Sequence, residues 1–159
     1  GGHAVTHIIG TVARIIQVTD VDEGRFFVSA GAERRFRIVT RHPDSPYPIG
    51  DVVMLDDEPG PGDLPALAMT VMNTSRELIK LMSGLGGGWA GDQNLPTDPA
   101  ALSYYVPKLL HIDPTERQML LAAGTTAERL GLEAALLSAQ AKVLKMRVNA
   151  RLKGCFSSN

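Results

Sequence analysis

The sequence predicts an α+β protein in which an antiparallel sheet precedes a helical bundle that closes with a long C-terminal helix. Three observations predict it. Residues 7–21 hold a β-branched run (Ile8, Ile9, Val12, Ile15, Ile16, Val18), which favours extended chain. After Asp63 the apolar spacing changes from two to three and four, as Leu67, Val71, Leu78, Ile79 and Met82 show. Finally, residues 111–147 contain two helix starts in succession, at Asp113-Pro114-Thr115-Glu116 and at Thr125-Thr126-Ala127-Glu128.

Each element follows in order. The first strand ends in the turn stretch 20–25, where Gly24 takes positive φ at little cost. A second strand starts at Phe26, Phe27 and Val28, Gly31 breaks it, and a third resumes over "ERRFRIVT". There Phe36 and Ile38 alternate with Arg35 and Arg37, one buried face and one wet face. Pro43, Pro46 and Pro48 enforce an extended loop, and "IGDVVMLDD" makes a fourth strand. Loops this short favour an antiparallel meander, because parallel crossovers need about a dozen residues or more.

A first helix is expected over residues 64–83, followed by a mobile loop, "GLGGGWAGDQNLP", with five glycines. Asp98 caps the next helix with Pro99 at its first position, and Pro107 ends or kinks it. Asp113 and Glu116 start a third helix, which Gly124 closes as a left-handed residue. Thr125 and Glu128 form a capping box for the last, over residues 126–153, roughly 40 Å long at 1.5 Å per residue. Its stripe of Leu130, Leu137 and Leu144, with Ala134, Ala141 and Val148 between, requires an apolar partner. The expected division is a β subdomain over 1–62 and a helical subdomain over 63–159.

Composition bounds the function. The 159 residues are 44% hydrophobic and 21% charged with a net charge of −1, which argues against a surface wholly committed to nucleic acid. Charge is segregated, however. Residues 44–63 hold six acids and no Lys or Arg, whereas residues 139–153 hold five bases and no acid. Cys155 is the only cysteine, so no internal disulfide forms and a cytoplasmic location is expected. No apolar run approaches the roughly 20 residues of a membrane span. The chain starts Gly1-Gly2-His3, from which loss of the natural start by processing or truncation is expected.

No catalytic pattern stands out. The glycines of 84–91 lack the preceding strand and the Lys-Ser/Thr pair of a phosphate-binding loop. His3 and His7 are spaced for metal binding only on a helix, and His42 and His111 read as structural or solvated. Ser83 is followed by Gly84 outside any nucleophile elbow, and Asp56, Asp57 and Glu58 form an acidic loop. No catalytic residue, metal ligand or cofactor is therefore expected. Arg34, Arg35 and Arg37 suit phosphate contact, the basis of an alternative reading as an RNA-binding module. A further alternative is a structural piece that self-associates through the last helix. The methionines carry the main reading. Met69 and Met72 lie three apart on the first helix, and Met82, Leu85 and Trp89 run into the glycine loop, soft apolar groups suited to varied polypeptide segments.

Several separated phrases carry a resemblance. "IGTVARIIQV", "ERRFRI", "YPIGDVVMLDDEPG", "DPAALSYYV" and "IDPTERQMLLAAGTTAERLGLEAALL" resemble, in order, the N-terminal substrate-binding domain of ATP-dependent Lon proteases over most of residues 7–145. The resemblance implies a PUA-like, pseudo-barrel antiparallel sheet followed by a helical bundle. It also implies a non-catalytic domain that binds unfolded or exposed apolar polypeptide for ATP-dependent proteolysis and helps organise a protease assembly. The family's opening apolar strand and its proline-rich segment have no counterpart here, so the first strands are expected to be missing and one sheet edge open. ATPase and peptidase domains are expected to be missing from this sequence too, and no Walker lysine or catalytic serine maps onto any of its positions. The expected partners are unfolded or misfolded polypeptides, with a second copy or a protease core engaged through the C-terminal helix, and no membrane or nucleic acid. Candidate polypeptide contacts are Met69, Met72, Met82, Leu85 and Trp89.

Overall fold

A computed structural model describes residues 6–22, 24–42, 46–86 and 94–156, with side chains described as far as residue 150 and excepting residue 86. The chain divides into two compact units, Gly1–Asp56 and Asp57–Asn159.

The first unit is an antiparallel sheet of three strands in sequence order, β1 (Ile9–Asp22), β2 (Arg25–His42) and β3 (Ile49–Leu55). Gly24, at φ 76°, turns β1 into β2, and Arg25 pairs with Asp22 across that turn. The sequence reading divides residues 26–40 into two strands at Gly31; the structure carries β2 straight through. Gly31 pairs with Arg14 between two register shifts, so it marks an irregularity of the ladder, and a glycine there weakens a strand without ending it. β3 pairs only with Arg35–His42 of β2. Beyond it, residues 13–22 and 25–32 form a two-stranded ribbon.

The expected face alternation is also only partly met. Phe36 and Ile38 are half-buried and Arg37 exposed, but Arg35 is buried. Arg35 sits in the central strand, in register with Thr11 on one side and Leu55 on the other. Gly10 lies opposite Phe36, and a Cβ at Gly10 would stand 2.7 Å from the end of that ring, so the glycine gives the aromatic its room.

The second unit contains α1 (Leu64–Gly86), α2 (Pro99–Tyr105), a 3₁₀ turn (Val106–Lys108), α3 (Pro114–Ala122) and α4 (Thr126–Phe156). Asp63 starts α1, its side chain accepting from the Ala66 N–H at 3.0 Å. The helix runs on to Gly86, so Gly84 and Gly86 are helical and not part of a loop; of the rest of the expected mobile loop, residues 87–93 lie outside the described residues and Leu95 is buried in the core. Asp98 accepts from the Ala101 N–H at 2.8 Å with Pro99 next to it, as its position predicts. Pro107 has no N–H to donate, and there the helix gives way to the 3₁₀ turn. Asp113 and Glu116 form a full reciprocal capping box.

The join between α3 and α4 departs from expectation. Gly124 is not left-handed; among the described residues the positive-φ glycines are Gly24, Gly60 and Gly62, and α3 ends at Ala123 with ψ 131°. The segment 58–60 does the work instead. Thr126 donates to the Glu58 carbonyl at 2.8 Å and Ala127 to that of Pro59 at 3.0 Å. Glu128 donates to Thr125 Oγ1 at 3.1 Å and Arg129 to the Thr125 carbonyl at 3.1 Å. The N–H groups of Thr126, Ala127 and Glu128, three of those that a helix start leaves over, are thereby satisfied, and the Arg129 bond is the first of the helix's own ladder. The Glu128 carboxylate accepts from the Gly124 N–H at 2.7 Å, one residue before the position a standard capping box uses. Gly60 makes this approach feasible, since its φ is 82° and a Cβ there would lie 2.5 Å from Thr125 Oγ1.

α1 packs along α4. Val71 and Leu78 of α1 and Leu130, Leu137 and Ala141 of α4 are buried together with Leu102, Val106 and Leu120. The partner required by the apolar stripe of α4 is thus α1 and the short helices. Leu130 and Leu137 are fully covered within the chain, which leaves that half of the stripe unavailable for self-association. Burying each of these leucines is worth about 1.5–3 kcal/mol.

Candidate functional site

Two adjoining cavities open on the second unit where the C-terminal part of α1 meets residues 108–112 and α4. The first, about 530 Å³, has Ile79, Met82, Leu109, Leu110 and Ile112 as its apolar lining and Lys108 and Arg117 as its charged lining. The second, about 440 Å³, is lined by Met82, Val143, Leu144 and Arg147 among others. Met82 and His111 belong to both, so the two form one groove.

The walls are fixed by local chemistry. Ile79 and Met82 lie three apart on α1 and so share a face. Residues 109–113 have no helix of their own and are held at both ends. The Gln140 side chain donates to the His111 carbonyl at 2.8 Å and accepts from the His111 N–H at 3.1 Å, mimicking a strand pair. On the other side Asp113 is locked into the α3 capping box by Glu116 at 3.0 and 2.8 Å. Among the described residues Arg117 and Arg147 have no ion-pair partner, and no Asp, Glu or Cys lines either cavity. Such a groove can bury apolar side chains and hold negative charge at its edges. It brings together no nucleophile, base and orienting acid.

Of the residues singled out in the sequence, Met82 is in the groove and 39% exposed. Leu85 is half-buried on the last turn of α1. Met69 is exposed and Met72 packs against the core; neither lines the groove. Trp89 lies outside the described residues. The three arginines offered for RNA do not act together, because Arg35 is buried and Arg34 is paired with Asp56 at 2.9 Å.

A polar cluster inside the second unit escaped the sequence reading. Arg129, 1% exposed, donates from Nε to the Leu120 carbonyl at 3.1 Å and from Nη1 to Ser103 Oγ at 2.9 Å. Its Nη2 faces Asp57 Oδ1 at 3.5 Å, and Tyr104 donates to that same oxygen. The guanidinium also stacks 4.2 Å from the Tyr104 ring centre. One turn along α4, Glu133 is buried with neither carboxyl oxygen hydrogen-bonded. Burial pushes its pKa up to about 9, and the Arg129 cation only partly opposes the rise. The one sequence signal was an arginine in the first turn of a helix, where the dipole disfavours a cation.

Comparison with known proteins decides the family. Residues 5–139 match the family model described as the ATP-dependent protease La (LON) substrate-binding domain. The chain belongs to this family. It is similar to the Lon protease of Anaeromyxobacter dehalogenans strain 2CP-C, 24% identical over 157 residues, and to Lon protease 2 of Myxococcus xanthus, 25% identical over 157 residues. In both cases 96% of this chain is covered, and the chain spans only 19% of the length of each relative.

Solved structures support the fold. The Lon N-terminal domain protein from Xanthomonas campestris superposes with a TM-score of 0.58 at 19% identity, covering 82% of this chain and 69% of that one. The N-terminal domain of the Mycobacterium avium complex Lon protease gives 0.61 at 20% identity, covering 82% and 70%. A LON substrate-binding domain is a non-catalytic part of its protein. The phrases that carry the family resemblance have structural roles here: Asp98, Asp113 and Thr125 start helices, and Arg129 ties three segments together. Among the described residues no helix is long and apolar enough to cross a membrane.

Proposed function

We propose that this domain recognises unfolded or exposed apolar polypeptide and presents it for ATP-dependent proteolysis. One observation carries the reading: a LON substrate-binding domain holds, on its helical unit, an apolar groove with a solvent-exposed methionine at its centre. Thioether side chains adapt to different apolar partners at small cost, which suits a site that meets many sequences. Met82 is the central contact. Met69, Met72 and Leu85 on α1 are secondary ones, and Trp89 is retained on its sequence position. The protease assembly is the proposed partner of the whole, and the cytoplasm its proposed location.

The reading is tested with a fluorescent, permanently unfolded casein and the 159-residue chain. Binding that weakens about tenfold in Met82→Asp and in Val143→Asp, both exposed positions whose change leaves the helical circular dichroism intact, is the expected result. Undiminished binding in both variants counts against the groove.

A further inference from the structure

The cations of the groove suggest which polypeptides it favours. Lys108 and Arg117 line one cavity and Arg147 the other, with Met82 between them and, among the described residues, no carboxylate in either lining. This is not a property of the whole chain, whose net charge is −1. Nor is it general to the unit's cations. Lys145, on the same helix as Arg147, is paired with Glu77 at 2.7 Å, and Arg129 faces Asp57. Arg117 and Arg147 have no ion-pair partner among the described residues, and Lys108 stacks on Tyr105 at 5.5 Å. An uncompensated cation at each end of an apolar cleft repels a basic ligand and attracts an acidic one.

We propose that the groove selects extended segments in which one or two large apolar side chains are flanked on both sides by Asp or Glu. This rests on the reading of the groove as polypeptide-binding and adds the charge of its substrates. A single C-terminal carboxylate fits less well, since the cations belong to two cavities on either side of Met82 and one carboxylate cannot serve both. The apolar centre supplies the main affinity through burial, and the exposed charge pairs supply selection. Each such pair is weak, so three together distinguish an acidic flank from a neutral one by about tenfold.

The test uses four labelled ten-residue peptides with a common Leu-Phe-Leu centre, binding the 159-residue chain in fluorescence anisotropy. Three are capped at both ends and carry flanking Glu, Gln or Lys pairs; the fourth has Gln flanks and a free C-terminal carboxylate. The Glu peptide is expected to bind about tenfold tighter than the Gln peptide, and the Lys peptide weakest. The gap should shrink several-fold in 0.5 M salt, because exposed pairs are screened. Arg117→Glu combined with Arg147→Glu should reverse the order while leaving the circular dichroism unchanged.

Equal affinity for the three capped peptides, still lost in Met82→Asp, overturns the charge selection and leaves the groove as a polypeptide site. Tight binding of the free-carboxylate peptide alone also overturns it. Peptide or casein binding that ignores Met82→Asp overturns the groove itself, and the selection with it.

Discussion

The two units bury apolar residues to very different extents. In the helical unit Val71, Leu78, Leu102, Val106, Leu130 and Leu137 are fully covered. In the sheet unit Ile15, Ile16, Val18, Phe26, Phe27 and Val28 all stand exposed, Phe27 at 73%. The cause is geometric. A helix shows its apolar stripe to one side, and α1 and α4 satisfy one another. A strand alternates its side chains between two faces, and the ribbon of residues 13–22 and 25–32 has apolar side chains on both faces and, among the described residues, no third strand beside it. Two-stranded ribbons are marginal in water. Stability therefore resides in the helical unit, whose helices carry the groove.

Substitutions can break that contrast, and the largest effect is expected in the core. Leu137→Ala should lower the unfolding free energy of the helical unit by about 2–5 kcal/mol, measured by urea denaturation followed at 222 nm. A smaller loss would mean that the α1–α4 core is looser than its burial indicates.

Next comes Glu133, whose effect has a definite sign with pH. The folded carboxyl titrates near 9 and the unfolded one near 4.5. Between those values the unfolded chain releases a proton that the folded chain keeps, so this group lowers stability as pH rises, by at most about 1.4 kcal/mol per pH unit. Below 4.5 both states are protonated and above 9 both are ionised, and the dependence vanishes. Glu133→Gln should therefore stabilise the protein at pH 8 by on the order of a few kcal/mol and change little at pH 4. Melting curves at the two pH values check this; an equal shift at both would contradict it.

Gly60→Ala should cost about 1–3 kcal/mol, because it strains a positive φ and drives a methyl into Thr125. The readout is the melting temperature, with the helix start at Thr126 losing its bond to Glu58 in hydrogen exchange. The smallest effect belongs to the ribbon. Phe27→Ser should alter stability by no more than about 0.5 kcal/mol, since so exposed a ring contributes little to folding. A large loss would show that the ribbon is covered in solution.

How much could be read from the sequence follows the same division. The helix starts were legible because capping is local: Asp98, Asp113 and Thr125 act within three residues of themselves. The α4 stripe was legible because a heptad spacing repeats through four turns. What failed depended on distant chain. Gly31 looks like a strand breaker until its pairing with Arg14 is known, and Gly60 was overlooked because its reason lies 65 residues away, at Thr125. Arg35 belongs to a regular polar alternation that two flanking strands override.

The site shows the same limit. Met82 could be chosen from its place at the end of an apolar helix. Arg147 was noted only within a basic run, whereas Gln140, which clamps His111 across 29 residues of sequence, left no signal at all. Arg129 and Glu133 look like solvent-facing charges of a helix whose buried face is read from leucines alone.

Hydrogen–deuterium exchange with and without an unfolded polypeptide tests the central claim most directly. New protection is expected at residues 79–83, 108–112 and 139–147, with the ribbon of residues 13–22 and 25–32 exchanging as fast as before. Protection confined to the ribbon, with those three segments unchanged, would contradict it.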